Sequence, residues 1–265
     1  MNLEKLTRQV CSLVVETGKF IEQEVRRVKA ADIQVKSLHN YVTYVDKASE
    51  ERLVDQLSRF LPGSGFIAEE NPVHQRGEFT WVIDPLDGTT NFIHGVPVYS
   101  ISIGLLHGEE VILGVVYEIN RKECYYTWKS ASSYLNRHII QVSETSKVED
   151  SLLATGFPYY DYGRLEDYLH LFRHLMQHSH GIRRLGSAAA DLAYVACGRF
   201  DGFYEYGLSP WDVCAGALIV TNAGGRVSDF QGDKKWLFGK EMIATNGLIF
   251  AKFISLFENW SHPSF

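Results

Sequence analysis

Two aspartates three positions apart, Asp84 and Asp87 in "WVIDPLDGTTNF", close a strongly apolar run and are followed at once by Gly88. Pro85 fixes the chain as it leaves that run. A turn there lets both carboxylates converge and frees the Leu86 carbonyl to face the same point. Gly88 permits close backbone approach. Thr89, Thr90 and Asn91 read as the start of a helix or turn whose free N–H groups can receive a phosphate. Oxygen ligands with no His or Cys pair nearby favour Mg2+ over zinc. A carboxylate-held metal beside an anion-binding turn points to two-metal hydrolysis of a phosphate ester.

Other acids stand at comparable places. Glu69 and Glu70 end "GFIAEE", and Asp212 follows Trp211 where "WDVCAGALIVTNAGG" begins a helix. Each lies where a buried element emerges, so its carboxylate can enter a cleft while its backbone stays anchored. Taken singly, they read as solvated loop acids or helix caps. Asp212 has the context of a cap, and so does Asp46 in "YVTYVDKASE". Glu205 in "EYGLSPWD" reads on pattern alone as an exposed strand acid.

Two further groups draw the eye. His170, His174 and His178 recur at i, i+4 and i+8, a spacing that can grip a metal. On a helical wheel they fall opposite Tyr168, Phe172, Leu175 and Met176, which assigns them to a polar face turned to solvent or a partner. Arg183 and Arg184 can attract phosphate, brace a dimer or be ordinary surface charge, and the pattern does not choose among these. The ending "WSHPSF" looks like part of an affinity tag with one residue changed, and no function is read from it.

The elements that must position these groups follow from periodicity. Residues 3–30 carry Leu6, Val10, Leu13, Val14, Thr17, Phe20 and Ile21 at helical spacing, with charge on the other face. A β-like stretch begins at "NYVTYV" and becomes a helix from about Lys47, ended by Pro62 and Gly63. "GFIAEE" and "FTWVID" read as short buried strands. "VYSISIGLLHGEEVILGVVYEI" reads as two strands joined at His107 and Gly108. Further strands are expected at 123–128, at 151–155 and in "FDGFYEY". Helices are expected at 165–179, 187–198 and 212–223, the last closed by Gly224 and Gly225. The polar connector "SETSKVED" marks a seam between two halves. Mixed strands and helices imply an α/β or α+β chain.

The whole chain narrows the function classes. Its 265 residues fit one large domain or two small ones and can bury a sizeable core. A net charge of −6 with no basic block argues against a general nucleic-acid or membrane surface. Cys11, Cys124, Cys197 and Cys214 form no C-x-x-C pair, which disfavours a zinc site or disulfide framework and fits a reducing compartment. "MNLEKLTRQV" carries charge where a signal peptide needs an apolar stretch, and no run approaches a membrane span. A cytoplasmic protein is expected.

Three separated motifs, "IAEE", "WVIDPLDGTTNF" and "WDVCAGALIVTNAGG", resemble in content and order those of the inositol monophosphatase family, and the likeness runs over nearly the whole chain. "RRLGSAAADLAYVACGRFDGFYEYGLSPWD" is most similar to bacterial members. The resemblance implies an α+β fold, a layered αβαβα sandwich similar to fructose-1,6-bisphosphatase. It makes 1–265 a single phosphatase domain, with a metal- and phosphate-binding half at about 1–145 and a substrate-side half at 146–265. It further implies a homodimer, two or three Mg2+ per site, lithium inhibition, and hydrolysis of a phosphate monoester by a metal-activated water without a phosphoenzyme.

Carried over by the same resemblance, Glu69, Asp84 and the Leu86 carbonyl hold one metal, and Asp84, Asp87 and Asp212 hold the second. Glu69 also serves a third metal or the nucleophilic water, and Glu70 supports the site. The Gly88 and Thr89 amides take the phosphate, and the Thr89 hydroxyl, backed by Asp46, orients and deprotonates the water. Glu205 binds a polyol hydroxyl, with Gly186, Ser187 and Ala188 lining the same side and Asp212 bordering it. The expected substrate is an inositol monophosphate. A broader sugar phosphatase, including fructose-1,6-bisphosphatase activity, is the enzymatic alternative, and a regulatory protein contacting transcription machinery is the alternative of another class.

Overall fold

The first helix shows how pattern becomes layer. In a computed structural model of the chain, which describes residues 1–25, 27–37, 40–70, 76–158 and 161–258, helix α1 (Leu3–Glu24) starts where the Asn2 side chain accepts the Lys5 N–H at 2.9 Å. Its stripe of Leu6, Val10, Leu13, Val14 and Ile21 is buried. The helix stops six residues before the expected end. There the Glu24 carboxylate accepts from the Tyr44 hydroxyl at 2.5 Å and from Arg27 at 2.9 Å. A short antiparallel pair follows, β1 (Gln34–Ser37) and β2 (Asn40–Val42), and then α2 (Tyr44–Phe60). Helix α2 begins three residues earlier than expected because Thr43 caps it and Asp46 closes a capping box.

Seven strands form one sheet in chain order: β3 (Gly65–Ala68), β4 (Phe79–Asp87), β5 (Ser100–His107), β6 (Glu110–Glu118), β7 (Glu123–Trp128), β8 (Ser133–Leu135) and β9 (His138–Ile140). β3 and β4 are parallel and the rest is an antiparallel meander. The short helix α3 (Thr89–His94) lies between β4 and β5. The second sheet draws on β10 (Leu152–Thr155), β11 (Gly181–Arg183), β12 (Gly202–Tyr206), β13 (Arg226–Ser228) and β14 (Glu241–Thr245), in the order β11-β10-β12-β14-β13. Between these strands run α4 (Leu165–His178), α5 (Ala188–Ala196) and α6 (Pro210–Asn222), and α7 (Phe250–Ser255) follows the last.

Three apolar clusters stack these elements into five layers. The stripes of α1 and α2 meet Trp81, Ile83, Ile101, Ile103 and Val115 on one face of the seven-stranded sheet. The other face, through Val82, Leu106 and Val116, packs on α5 and α6, which also cover Ala154, Phe203, Met242 and Ala244 of the five-stranded sheet. Helices α4 and α7 close the far face of that sheet on Leu153, Tyr204 and Ile243. Helices α5 and α6 therefore lie between two sheets, which is why both are apolar nearly all round. The result is an α+β sandwich layered αβαβα, the architecture that the resemblance implies. No helix among the described residues is long and apolar enough to cross a membrane.

On α4, Tyr168, Leu171 and Leu175 are buried, and His170 and His178 lie on the exposed side. Met176 departs from its expected place with the apolar residues: it is 61% exposed, and Leu171 fills the stripe instead. The "WSHPSF" ending lies outside the described residues.

Candidate active site

The expected turn at Pro85 is a bulge inside a continuous strand. Asp84 pairs with Ser102 and Asp87 with Ser100, so three steps on β4 match two on β5. The extra residue falls at Pro85 and Leu86, where proline removes a ladder donor. In a regular strand, residues three apart point to opposite faces. The bulge reverses that parity. Trp81, Ile83 and Leu86 all join the outer cluster with α1 and α2, while Asp84 and Asp87 share the inner side. Strand, proline and spacing together thus deliver two carboxylates to one cavity.

Asp212 arrives from another element. Ser209 precedes α6, Pro210 takes its first position, and Asp212 Oδ2 accepts the Ser209 N–H at 2.6 Å. Asp212 is a cap residue, as its context predicts, and it also faces the cluster. One carboxylate oxygen from each of Asp84, Asp87 and Asp212 lies within 4.8 Å of the other two. Glu69, placed just beyond β3, lines the same cavity, as do Leu86, Gly88 and Thr89.

Burial, and then the charges of Glu69, Asp87 and Asp212, hold the Asp84 carboxyl well above the usual range. Burial and the charge of Asp87 do the same to Asp212. Asp87 is pushed up to about 6 by burial, against hydrogen bonds from the Ser187 hydroxyl (2.7 Å) and the Ala189 N–H (2.8 Å). Converging hard oxygen donors that repel one another this strongly fit a small divalent cation, whose charge would reverse the repulsion.

Thr89 links the cluster to Asp46. Its hydroxyl lies 2.9 Å from Asp46 Oδ1 and 3.0 Å from the Leu86 carbonyl oxygen. Asp46 is buried, and its Oδ2 accepts from the Thr43 N–H (2.8 Å) and the Thr43 hydroxyl (2.6 Å). Burial raises its pKa, opposed by these same hydrogen bonds. Gly88 turns the chain into α3 with φ +95°, and a Cβ there would meet the Gly186 carbonyl oxygen at 3.1 Å. That close approach brings the Gly186, Ser187 and Ala188 segment against the aspartate loop.

Gly186, Ser187, Ala188 and Glu205 line the cavity with the acids. The Ser187 hydroxyl is engaged by Asp87, by Ser100 at 2.9 Å and by the Ala190 N–H at 3.3 Å, so it braces Asp87 and caps α5. Burial raises Glu205 to about 8, with Arg184 pulling it down and Asp87 pushing it up. Glu70 does not line the cavity; its N–H donates to the Glu50 carboxylate at 2.8 Å. None of the three histidines of α4 lines it, and the His174 and His178 rings stack at 4.4 Å. The two arginines separate: Arg183 is exposed, and Arg184 lines the cavity.

Asp191, Tyr41, Thr155 and Gly156 also line it and were not singled out from the sequence. For Asp191 a signal existed. "AAADLAYVA" is apolar on every side except at this acid, so a buried helix must bury its carboxylate.

The comparisons with known proteins agree with one another. The sequence profile described as the inositol monophosphatase family matches residues 2–262. A Pseudomonas aeruginosa protein named Nus factor SuhB is 40% identical over 253 residues, 93% of each chain. A Mesorhizobium japonicum inositol-1-monophosphatase is 36% identical over 237 residues, 89% of each chain. The solved inositol monophosphatase from Anabaena (Nostoc) sp. PCC 7120 has a TM-score of 0.86 at 35% identity, covering 100% of this chain and 99% of that one.

Proposed function

The chain belongs to the inositol monophosphatase family, whose members are metal-dependent phosphatases, and from that premise we propose that it hydrolyses an inositol monophosphate to inositol and phosphate with Mg2+. The observation that carries this reading is the convergence of Asp84, Asp87 and Asp212, with Glu69 alongside and the Thr89–Asp46 hydrogen bond next to them. Glu69, Asp84 and the Leu86 carbonyl would hold one ion, and Asp84, Asp87 and Asp212 the second. When bound, the ions supply charge neutralisation for the phosphate, activation of a water and stabilisation of the leaving oxygen.

The chain's own groups do the rest. The Gly88 and Thr89 N–H groups take phosphate oxygens at the start of α3 and fix the phosphorus in line with the incoming water. The Thr89 hydroxyl accepts a hydrogen bond from that water while donating to Asp46 Oδ1. Asp46, pushed up by burial, is the acceptor at the end of this relay. The Ser187 hydroxyl and the Ala189 N–H hold Asp87 in its rotamer. Glu205 accepts from a hydroxyl of the alcohol portion.

A phosphate-release panel tests the substrate. Inositol 1-phosphate should be preferred over fructose 1,6-bisphosphate, histidinol phosphate and phosphoadenosine phosphate, each with Mg2+. Preference for fructose 1,6-bisphosphate would replace this reading with the broader sugar phosphatase. The name Nus factor on relatives at 37–40% identity favours a second, compatible role in contacting transcription machinery. Co-purification of the intact chain with RNA polymerase subunits from its own cells tests that role.

A further inference from the structure

Glu205 reaches the cavity from β12, and two neighbouring strands deliver the groups beside it. β11, β10 and β12 are adjacent and parallel, with Ala154 of β10 opposite Arg183 on one side and Phe203 on the other. Further along these strands, Arg184, Gly156 and Glu205 emerge together at their carboxyl ends. That is the end at which parallel strands present ligand-binding groups. All three line the cavity.

Gly156 is where Glu205 fits. A Cβ built on Gly156 would lie 1.8 Å from Glu205 Oε1 and 1.9 Å from Glu205 Cδ, well inside any allowed contact. The Gly156 backbone is not in the left-handed region, so space, and not conformation, is what requires glycine. Beside this seat the Arg184 guanidinium carbon stands 5.3 Å from the Phe157 ring centroid. Asp191 lies behind, 1% exposed, with Oδ1 sealed and without a hydrogen-bond partner. It shares with Glu205 the field of Arg184. The arginine is thus held among acids, with no need of an anionic ligand to balance it.

We propose that Glu205 and Arg184 form an acceptor–donor pair that reads neighbouring hydroxyls of a polyol phosphate, and that Gly156 is the specificity-positioning residue that seats it. The carboxylate accepts from one hydroxyl and the guanidinium donates to the oxygen of the next. An alcohol portion without hydroxyls gains nothing from the pair. This inference rests on the reading of Glu205 as a substrate-binding residue.

The test compares inositol 1-phosphate with 4-nitrophenyl phosphate, which has no ring hydroxyls, in the full-length Mg2+-loaded enzyme. Gly156→Ala should lower kcat/KM for inositol 1-phosphate roughly tenfold to hundredfold, mainly through KM, and leave the aryl phosphate nearly unchanged. Glu205→Asp should lower the same value alone. In the double variant Gly156→Ala/Glu205→Asp, the shorter acid withdraws from the added methyl, so inositol 1-phosphate turnover should exceed that of Gly156→Ala. Equal losses on both substrates would overturn the proposal, and an unchanged ratio for Gly156→Ala would refute its seat. If Glu205→Gln also leaves the ratio unchanged, the underlying reading of Glu205 falls with it. If Glu205→Gln lowers the ratio and Gly156→Ala does not, only the seat is refuted. Should Gly156→Ala fail to fold, the double variant decides: folding restored by the shorter acid supports the seat, and continued failure refutes it.

Discussion

Asp84 serves both the strand and the cluster. Oδ1 accepts the Leu86 N–H at 2.9 Å across the bulge, and a carboxylate oxygen also belongs to the acid cluster. Asparagine can keep the first contact and remove the charge from the second. Because burial and neighbouring acids raise the Asp84 pKa, the metal-free folded state holds more protons than the unfolded chain. Stability from this group is therefore present at acid pH and lost as pH rises above the unfolded carboxylate value. Asp84→Asn should raise the Tm of the chelator-treated protein at pH 8, have little effect at pH 4, and lower phosphate release roughly hundredfold or more. An unchanged or lower Tm at pH 8 would show that the carboxylates do not strain one another. A second test concerns Thr89. Replacing its hydroxyl in Thr89→Val should cost about a hundredfold in kcat, and Thr89→Ser should retain most of it. Equal loss in both variants would take the hydroxyl out of the relay.

Helix α2 carries Asp46 in its capping box, so on the proposed reading cap and chemistry are joined in one element. Thr43 donates twice to Asp46 Oδ2, leaving Oδ1 for Thr89. Thr43→Ala removes a helix cap worth about 1 kcal/mol and one of the bonds that orient Asp46. Denaturant melts should show that loss of stability, and kcat should fall with it. Thr43→Ser should restore both; a fall in stability with kcat untouched would detach Asp46 from the reaction. The same element shows what a sequence reveals. The acids at strand and helix ends were legible because a carboxylate just past an apolar run is a local pattern. The long strands and amphipathic helices were legible because their periods repeat. The three-residue strands β8, β9, β11 and β13 offer no period to read, and their pairing partners decide them. The bulge at Pro85 was legible as a break but not as its kind, since only the pairing of Ser100 and Ser102 shows that the strand continues. Gly156 was silent, because its meaning depends on Glu205, a residue 49 positions away in the chain.

In the whole molecule, the cavity lies between what the two sheets deliver. The seven-stranded sheet supplies Asp84 and Asp87, and the five-stranded sheet supplies Glu205, while α6 in the layer between them brings Asp212. A cation held at this junction ties the layers together and binds only the folded chain, so it must stabilise the fold. Mg2+ should raise the Tm more at pH 8 than at pH 5, because Asp87, pushed up to about 6, gives up its proton between these values. An equal Mg2+ effect at both pH values would place the ion elsewhere. Lithium should inhibit turnover at saturating Mg2+ in the manner the family resemblance implies, and sedimentation should find a homodimer. The most direct measurement is phosphate release from inositol 1-phosphate as Mg2+ is titrated from zero, in the wild-type protein and in Asp87→Asn. The wild type should be inactive without the ion and rise to a plateau, while Asp87→Asn, folded by circular dichroism, should stay near baseline throughout. Release without added metal in chelator-treated protein, or a wild-type curve from Asp87→Asn, would contradict the assignment of this acid cluster as the catalytic metal site.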